Sequence, residues 1–295
     1  MTSKTRLMRC KLFVPGSRPE FFTKAMQSAA DALSFDLEDA VVTERKAEAR
    51  TRVAEFLTGL GPSAAKIMIV RVNGLDTADF MPDLEAVAVP ALDAINLPKG
   101  ESGADVERAA MALDAIEARK GLTPGRVKIL VNIESPKGWR LAHELATASP
   151  RVMGLQLGLG DLFAPHGITR TESTMAAVRL AMKMAAAEAR VPAYDTANAN
   201  VADKAGLEAD ARAGRLMGYA GKSAIHPSQI EIINRVYTPS EAEIAHARDV
   251  LTALADPVNR GKGAFIVNGK MVDGPFFDEA RAIVELADRI KHGTV

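Results

Sequence analysis

Short apolar runs alternate with amphipathic stretches along most of this chain. Two of the apolar runs end in a carboxylate, namely residues 128–134 with Glu134 and residues 152–161 with Asp161. Both runs are rich in Ile, Leu and Val, which is typical of strands that are buried on both faces. The segment between them, residues 135–145, has a helical pattern opened by proline. The pattern therefore predicts one strand–helix–strand unit, with Glu134 and Asp161 side by side at one edge of a parallel sheet.

Two carboxylates placed side by side need either a proton or a compensating positive charge. A hard divalent cation supplies that charge and prefers oxygen ligands, so Mg²⁺ is the first candidate at Glu134 and Asp161, with Mn²⁺ as an alternative ion. Two solvated carboxylates at strand ends would show the same spacing. A pair of acidic residues is therefore a weak pattern when it is taken alone.

The same alternation continues on both sides of this unit. Further strand-like runs occur at residues 11–14, 32–37, 66–72, 94–97, 191–195 and 221–227, and most are followed by a helical pattern. Eight strand–helix repeats predict an α/β fold of the (β/α)8 TIM-barrel type, which typically takes about 250 residues. A dinucleotide-binding fold is the weaker alternative, because no Gly-x-Gly-x-x-Gly follows the first strand.

The pattern changes after residue 236. Residues 263–274 alternate between apolar and polar around an Asn-Gly pair, which is the strongest hairpin signal in the chain. An amphipathic helix is predicted at 275–291. The sequence thus predicts a catalytic barrel over residues 1–236 and a C-terminal extension of helix and hairpin over residues 237–295.

Composition excludes several classes of protein. The chain has 37 basic and 37 acidic residues and no basic stripe, so nucleic acid is not expected as a partner. The single cysteine, Cys10, excludes an intramolecular disulfide framework and favours a reducing compartment. No apolar run is long enough to span a membrane, and residues 1–6 contain no signal-peptide core. We therefore expect a cytoplasmic protein without membrane contact.

Polar side chains collect where the predicted strands end. They are Asp36, Glu38 and Asp39 after the second strand, Arg71 and Asn73 at the third, Lys99 after the fourth, Asp195 after the seventh and His226 at the eighth. Barrel enzymes place their catalytic groups at this carboxyl-terminal rim. Loop polarity explains some of the pattern, but Arg71, Glu134 and His226 end apolar strands, where an ionisable group is costly unless it has a partner.

The chemistry that these residue types support is narrow. The sequence has no nucleophile elbow, no Cys–His nucleophile pair and no histidine-rich metal site. A carboxylate-held Mg²⁺ near Arg71 and Lys99 suits an anionic substrate with a carboxylate or an enolate, which Arg71 would bind bidentately. This indicates carbon–carbon chemistry of the aldol or Claisen type. Lys99 could instead form a Schiff base, but beside a carboxylate cluster a charged anchor is the favoured interpretation.

Seven short motifs follow one another along nearly the whole chain. They are LFVPG at 12–16, DLEDAV at 36–41, VRVN at 70–73, LPKGES at 97–102, IES at 133–135 with GDL at 160–162, IHPSQI at 225–230 and GKMVD at 269–273. On these motifs the chain resembles the citrate lyase β-subunit family, part of the HpcH/HpaI-type aldolase superfamily. Residues 135–139 and 162–167 depart from the family's usual runs, so the resemblance leaves the substrate's identity open.

The resemblance implies a Mg²⁺-dependent lyase that acts on a β-hydroxyacyl-CoA thioester of the malyl, citramalyl or citryl type. Retro-Claisen cleavage would give acetyl-CoA and a 2-keto acid, with coenzyme A as part of the substrate. Glu134 and Asp161 match the two metal-binding carboxylates of the family. Arg71 matches its active-site arginine, which would stabilise the thioester enolate.

Other residues receive their roles from the same resemblance. Glu38 and Asp39 are expected in the catalytic cluster with Arg71, and the residues expected to bind substrate or coenzyme A are Arg18, Lys24, Asp36, Asn73 and Lys99. The acidic residues would order the cation and its waters or orient Arg71. Arg18 and Lys24 lie where the phosphates of coenzyme A are expected, although Lys24 taken alone reads as ordinary surface charge.

The resemblance also implies an assembly. Similar proteins form homotrimers or hexamers, and the residue that matches Asp273 enters the neighbouring subunit's site as an acid or base. Two alternatives stay open: the chain could act as the β-subunit of a multi-subunit citrate lyase complex, or the same site could hydrolyse a thioester with water.

Overall fold

Eight parallel strands close into a barrel, which confirms the predicted TIM-barrel class. A computed structural model describes residues 6–61, 64–259 and 261–291. Each strand pairs with the next along the chain, and the last pairs with the first. The strands are β1 (Cys10–Pro15), β2 (Ala32–Asp36), β3 (Ile67–Arg71), β4 (Ala94–Leu97), β5 (Lys128–Ile133), β6 (Val152–Leu157), β7 (Ala193–Asp195) and β8 (Gly221–Ala224).

Helices connect the strands and complete the fold. They are α1 (Phe22–Gln27), α2 (Lys46–Leu60), α3 (Phe80–Val87), α4 (Gly103–Lys120), α5 (Pro136–Arg140), α6 (Ala142–Thr147), α7 (Leu159–Phe163), α8 (Glu172–Glu188), α9 (Lys204–Leu216) and α10 (Ile230–Val236). Helix α4 shows why these segments are helical. Ser102 and Asp105 form a capping box at its start, and Gly121 ends it in the left-handed conformation.

Two elements around the organising carboxylates differ from the sequence prediction. Strand β6 ends at Leu157, so Asp161 lies on the short helix α7 rather than at the end of a strand. The turn begins at Gly158, where a Cβ atom would lie 2.7 Å from Cβ of Glu134. Only a glycine permits that approach. The helix predicted at 135–145 is divided in two, because the backbone of Leu141 leaves the helical region.

Strand β7 is shorter than predicted, and its end does not point to the rim. It begins at Ala193, after a proline that cannot donate to the sheet. The carboxylate of Asp195 accepts hydrogen bonds from Nε and Nη2 of Arg179, both at 2.9 Å, and from Nζ of Lys222 at 2.8 Å. Because Arg179 belongs to α8, this carboxylate lies between barrel and helices. The prediction that Asp195 joins the rim was wrong.

The barrel interior changes from apolar to polar along the strands. Its amino-terminal part is an apolar cluster that includes Ile67, Ile69 and Leu130. Above it lies a set of buried polar side chains, here called the polar layer: Lys11, Asn96, Asn132, Gln156 and Ser223. Barrel interiors are usually filled by branched apolar residues. The polar layer therefore marks the part of the interior that supports the site.

The chain divides into two compact units, Met8–Asn234 and a second that takes Arg235–Val295 together with Met1–Leu7. In the second unit, α11 (Glu241–Ala255) and α12 (Gly274–Lys291) pack with an antiparallel hairpin of β9 (Ala264–Val267) and β10 (Lys270–Asp273). Asn268 and Gly269 form the turn with φ of 50° and 76°. Two successive positive φ values suit a tight hairpin, so this element is confirmed.

Two expectations about the exterior can be placed. Among the described residues, no helix is long and apolar enough to cross a membrane. The absence of a signal-peptide core was predicted from residues 1–6, of which residues 1–5 lie outside the described residues.

Candidate active site

A cavity of about 510 Å³ opens at the carboxyl ends of the barrel strands. Five of the predicted site residues line it: Asp36, Asp39, Arg71, Glu134 and Asp161. Asn132, Gln156 and Ser223 of the polar layer also line it, so the polar layer provides part of its inner wall. These five residues, which were predicted from the ends of the strands, therefore lie around one cavity.

Arg71 is the most constrained side chain of this cavity. Asp36 and Arg71 are register partners at the ends of β2 and β3, so their side chains leave the sheet together. Nε and Nη2 of Arg71 donate to the two oxygens of Asp36 at 2.7 and 2.6 Å, and Nη1 lies 3.0 Å from Glu38 and 3.1 Å from Asp39. Burial alone would lower the pKa of Arg71, but the three carboxylates raise that pKa by more than burial lowers it. The guanidinium therefore stays charged.

Asp36 also organises the loop that follows its strand. Its two oxygens accept the backbone N–H groups of Glu38 at 3.0 Å and Ala40 at 3.2 Å. With the two bonds from Arg71, the hydrogen-bonding capacity of this carboxylate is largely occupied. Its direct role is to hold Arg71 and the loop in one geometry, whereas contact with a substrate stays a prediction.

Lys99 connects the acidic loop to Glu134. Its Nζ lies 2.7 Å from Glu38 and 3.7 Å from Asp39. Its backbone has φ of 52°, which is uncommon for a residue other than glycine. Its backbone N–H donates to Oε1 of Glu134 at 2.8 Å. Burial raises the pKa of Glu38, and Arg71 and Lys99 reverse only part of that effect.

Glu134 and Asp161 lie on neighbouring parts of the rim, because β5 and β6 pair with Ile133 opposite Leu157. Glu134 is buried, whereas Asp161 is exposed. Burial raises the pKa of Glu134 to about 7, and the nearby carboxylates of Glu38 and Asp161 contribute to the rise. A cation bound between the two residues would relieve this repulsion.

The residues present fit a hard cation. Among the described residues, Arg71 and Lys99 are the cationic side chains that form ion pairs in the rim cluster, whose five carboxylates are Asp36, Glu38, Asp39, Glu134 and Asp161. The described residues contain no group of three or more His, Cys, Asp or Glu side chains arranged as a metal cage. Mg²⁺ needs no such cage, since it is commonly held by one or two carboxylates and keeps several waters.

The match to a known family covers most of the barrel. Residues 9–227 match the family model described as HpcH/HpaI aldolase/citrate lyase. The chain belongs to this family. The family predicted from the seven motifs, and with it the class of carbon–carbon lyase, is confirmed.

Two curated relatives span nearly the same length. The citrate lyase subunit beta of Escherichia coli (strain K12) is 38% identical over 293 residues, which covers 97% of this chain and 95% of the relative. An L-malyl-CoA/beta-methylmalyl-CoA lyase of Cereibacter sphaeroides (strain ATCC 17029 / ATH 2.4.9) is 35% identical over 304 residues, covering 96% of this chain and 95% of the relative. The similarity thus includes lyases of two names.

Solved structures of the family show the same fold. The CitE protein of Mycobacterium tuberculosis in complex with magnesium, acetoacetate and coenzyme A has a TM-score of 0.79 and 32% sequence identity, covering 97% of this chain and 100% of that chain. A citrate lyase beta subunit from M. tuberculosis complexed with oxaloacetate and magnesium has a TM-score of 0.68 and 30% identity, covering 81% and 100%.

Six predicted site residues are not part of the cavity lining, and three of them, Arg18, Lys24 and Asn73, also make no contact with the rim cluster among the contacts described above. Arg18 and Lys24 are exposed on the segment after β1, and Arg18 forms an ion pair with Glu20. Asn73 is buried, and its backbone and side-chain N–H groups donate to Asp83 at 2.9 and 2.7 Å. Asn73 thus holds the chain after β3. Binding of substrate or coenzyme A by these residues stays a prediction.

Asp273 belongs to the second compact unit, where it ends the hairpin. It is half-buried, and among the described residues its Oδ1 atom has no hydrogen-bond partner. A carboxylate oxygen that is shielded from water and accepts no hydrogen bond is costly. The expected role of Asp273 as an acid or base in a neighbouring subunit's site stays a prediction.

Sequence reasoning missed the polar layer beneath the rim. Lys11 was read simply as part of an apolar strand, although its place two residues before Phe13, whose ring lines the cavity, puts both on the inner face. The same period of two places Asn132 below Glu134. Counting inward positions from the rim residues would have found both.

Proposed function

We propose that this chain is a Mg²⁺-dependent lyase that cleaves a carbon–carbon bond of a β-hydroxyacyl-CoA thioester. The products would be acetyl-CoA and a 2-keto acid, from a substrate of the malyl-, citramalyl- or citryl-CoA type. One observation carries the proposal: in a chain of this family, a fixed arginine and an oxygen-rich acidic pair line one cavity. The two solved structures named above, one with magnesium, acetoacetate and coenzyme A and the other with magnesium and oxaloacetate, support it.

Glu134 and Asp161 are the residues that would hold Mg²⁺, with Mn²⁺ as an alternative. When bound, the ion would polarise the oxygens of the 2-hydroxy or 2-keto acid. Glu134 is held for this task by two hydrogen bonds, from the backbone of Lys99 at 2.8 Å and from the side chain of Asn132 at 3.2 Å. Asp161 is exposed and lines the cavity, so a cation held there would be accessible to both water and substrate.

Arg71 is the residue that would meet the negative charge of the reaction. The breaking bond joins the hydroxyl-bearing carbon to the methylene group next to the thioester, and its electron pair becomes the thioester enolate. A donor that is already fixed loses little energy in reorganisation when this charge develops. Asp36 fixes the plane of the guanidinium by two hydrogen bonds, while Glu38 and Asp39 hold its third nitrogen and Lys99.

The methylene carbon must then gain a proton, which balances the one that the hydroxyl group loses. Asp273 of a second copy is our proposed donor, because its Oδ1 has no hydrogen-bond partner among the described residues of its own copy. This role requires a closed homo-oligomer, for which we propose a homotrimer or hexamer. Arg18 and Lys24, both exposed, would lie beside the phosphates of coenzyme A.

The proposal is tested by incubating the purified chain with Mg²⁺ and, separately, malyl-, citramalyl- and citryl-CoA. We expect acetyl-CoA and the matching keto acid in equal amounts from at least one of them, measured by liquid chromatography with mass detection, and no products after chelation. Free coenzyme A with an intact hydroxy acid would instead establish a thioester hydrolase. No turnover together with no binding of coenzyme A would contradict both.

Native mass spectrometry separates the free-standing enzyme from a component of a complex. An active homotrimer or hexamer supports the free-standing lyase. Activity that appears only when other subunits are added would support the alternative in which the chain works as the β-subunit of a larger citrate lyase assembly.

A further inference from the structure

A row of hydrogen-bonded side chains crosses the barrel interior from β1 to the rim of β5. Nζ of Lys11 donates to Oδ1 of Asn96 at 3.1 Å, Nδ2 of Asn96 donates to Oδ1 of Asn132 at 2.8 Å, and Nδ2 of Asn132 donates to Oε2 of Glu134 at 3.2 Å. We propose that Lys11 is a positioning residue for the metal site, which acts on Glu134 through the amides of Asn96 and Asn132. The inference rests on the proposed role of Glu134 as a metal ligand.

The direction of every bond in this row is fixed by its two ends when Lys11 is charged and Glu134 is ionised, which is the form of Glu134 that would hold a cation. A lysine ammonium offers only donors, and an ionised carboxylate offers only acceptors. Asn96 must therefore turn its oxygen to Lys11, and Asn132 must turn its oxygen to Asn96. The amide N–H groups then point toward Glu134. Aligned dipoles of this kind polarise one another, so the last donor is strengthened by the first.

Glu134 is oriented from three sides as a result. Asn132 donates to one oxygen, the backbone of Lys99 donates to the other, and Gly158 lies so close that a Cβ atom there would be 2.8 Å from Oε2. Each oxygen accepts one of these hydrogen bonds and keeps lone pairs for a cation. Groups that orient a metal ligand in this way typically contribute about 10- to 100-fold to metal affinity or activity.

A packing role alone does not account for Lys11. Its side chain is among the largest that are fully buried, so burial lowers the pKa of Lys11, and the nearby positive charge of Arg71 lowers it further. An apolar side chain of similar length would avoid that cost, as the apolar cluster just below shows. Nζ of Lys11 lies 4.3 Å from the centre of the Phe13 ring, directly behind the cavity wall.

The test measures binding of Mn²⁺ by electron paramagnetic resonance of the free ion, with the full chain and without substrate. We expect Lys11→Met to weaken Mn²⁺ binding by up to about tenfold, the lower end of the range for groups bonded directly to a metal ligand, because Lys11 acts through two amides. Asn96→Leu interrupts the same row at its middle and should weaken binding similarly. The double variant should bind Mn²⁺ only slightly more weakly than either single variant, because both substitutions interrupt the same row of hydrogen bonds. If Lys11→Met does not fold, Asn96→Leu gives the same measurement.

Two further variants separate positioning from general loosening. Lys11→Gln keeps an N–H donor and should retain affinity close to that of the wild type. Lys66→Met removes another lysine, whose Nζ donates to the backbone of Ser28 and Ala30, both at 2.7 Å, at the opposite end of the barrel. It should lower the melting temperature without changing Mn²⁺ binding. An equal loss of binding in Lys66→Met would overturn the proposal.

The outcomes also separate this inference from the proposed function. Unchanged Mn²⁺ binding in a folded Lys11→Met or Asn96→Leu variant, with binding intact in the wild type, would overturn the positioning role alone. A wild-type chain that binds no Mn²⁺ would instead overturn the metal assignment on which the proposed function depends.

Discussion

Two clusters of charged side chains lie in the same barrel unit, and they differ in how completely they are paired. The outer cluster, between the barrel and α8 and α9, has two cations and two carboxylates: Arg179, Lys222, Asp195 and Asp210. The rim cluster has the five carboxylates and two cations described above. The outer cluster is thus balanced by its own side chains, whereas the rim cluster carries an excess of negative charge.

The balance shows in individual atoms. Lys222 lies 2.8 Å from both Asp195 and Asp210, and burial, which raises the pKa of Asp210, is overcome by Lys222 and Arg179, so that pKa stays below its usual range. At the rim, burial dominates and the pKa of Glu134 rises to about 7. A balanced buried cluster indicates a structural role, while a cluster with an excess of carboxylates and a raised pKa indicates a candidate functional site.

The largest effect is expected when the rim loses a metal ligand. Glu134→Gln keeps the shape of the side chain and removes the charge, so kcat/KM for the accepted thioester should fall by about 10³-fold or more. Steady-state kinetics at saturating Mg²⁺ measures it, with the exposed Glu48→Gln as the matched control. Full activity of Glu134→Gln in chelated buffer would contradict the metal assignment.

The corresponding change in the outer cluster should affect stability and leave the chemistry intact. Lys222→Met leaves Asp195 and Asp210 with one cation between them, and removing one partner of a buried ion pair costs about 3–5 kcal/mol. Denaturant unfolding measures the loss, and kcat should be retained where the variant is folded. A large loss of kcat in folded protein would show that the two clusters are not separable.

A smaller effect is expected when the rim keeps its charge and loses its geometry. Arg71→Lys cannot reproduce the two parallel hydrogen bonds to Asp36, so kcat should fall by about 10²-fold. Mn²⁺ affinity should stay near the wild-type value, because Arg71 is not a metal ligand. The control is Arg45→Lys, at an exposed arginine. Wild-type kcat in Arg71→Lys would rule out a fixed guanidinium as the enolate donor.

The smallest effect is a dependence on pH that only the rim should show. Below pH 7 the raised pKa leaves Glu134 protonated in the metal-free chain, and a metal must displace that proton. The dissociation constant for Mn²⁺ should therefore rise by about tenfold for each pH unit below 7. Calorimetric titration between pH 7 and 5.5 measures it. A flat profile would mean that Glu134 is already ionised.

The sequence allowed the barrel and the centre of its rim to be predicted, because both depend on simple order along the chain. Apolar runs gave the strands, and residues at their ends gave Asp36, Arg71 and Glu134. It was harder to predict whether a side chain at the end of a strand points into the barrel or toward the helices. Asp36 and Asp195 both end strands, yet Asp36 points into the barrel and Asp195 toward the helices. A strand of three residues such as β7 contains too few positions to reveal which face is inward.

Residues held by long-range hydrogen bonds were also beyond the sequence. Asn73 lies two residues after Arg71, but Asp83, from a later helix, fixes it away from the cavity lining. Asn96 and Lys11 are 85 positions apart, and only the closed barrel brings them together. Apolar patterning finds elements, whereas partners like these depend on how the elements close.

Lys99 makes two contacts at the rim, one through its side chain and one through its backbone N–H, and its backbone conformation is strained. The side chain pairs with Glu38, and the backbone N–H, in a residue with φ of 52°, donates to Glu134. A left-handed residue other than glycine costs about 1 kcal/mol or more. Lys99→Gly would relieve that strain and make the fold more robust, but it would leave Glu38 without this cation. At this one residue, the stability of the fold is lowered by backbone strain while the rim keeps the ion pair with Glu38.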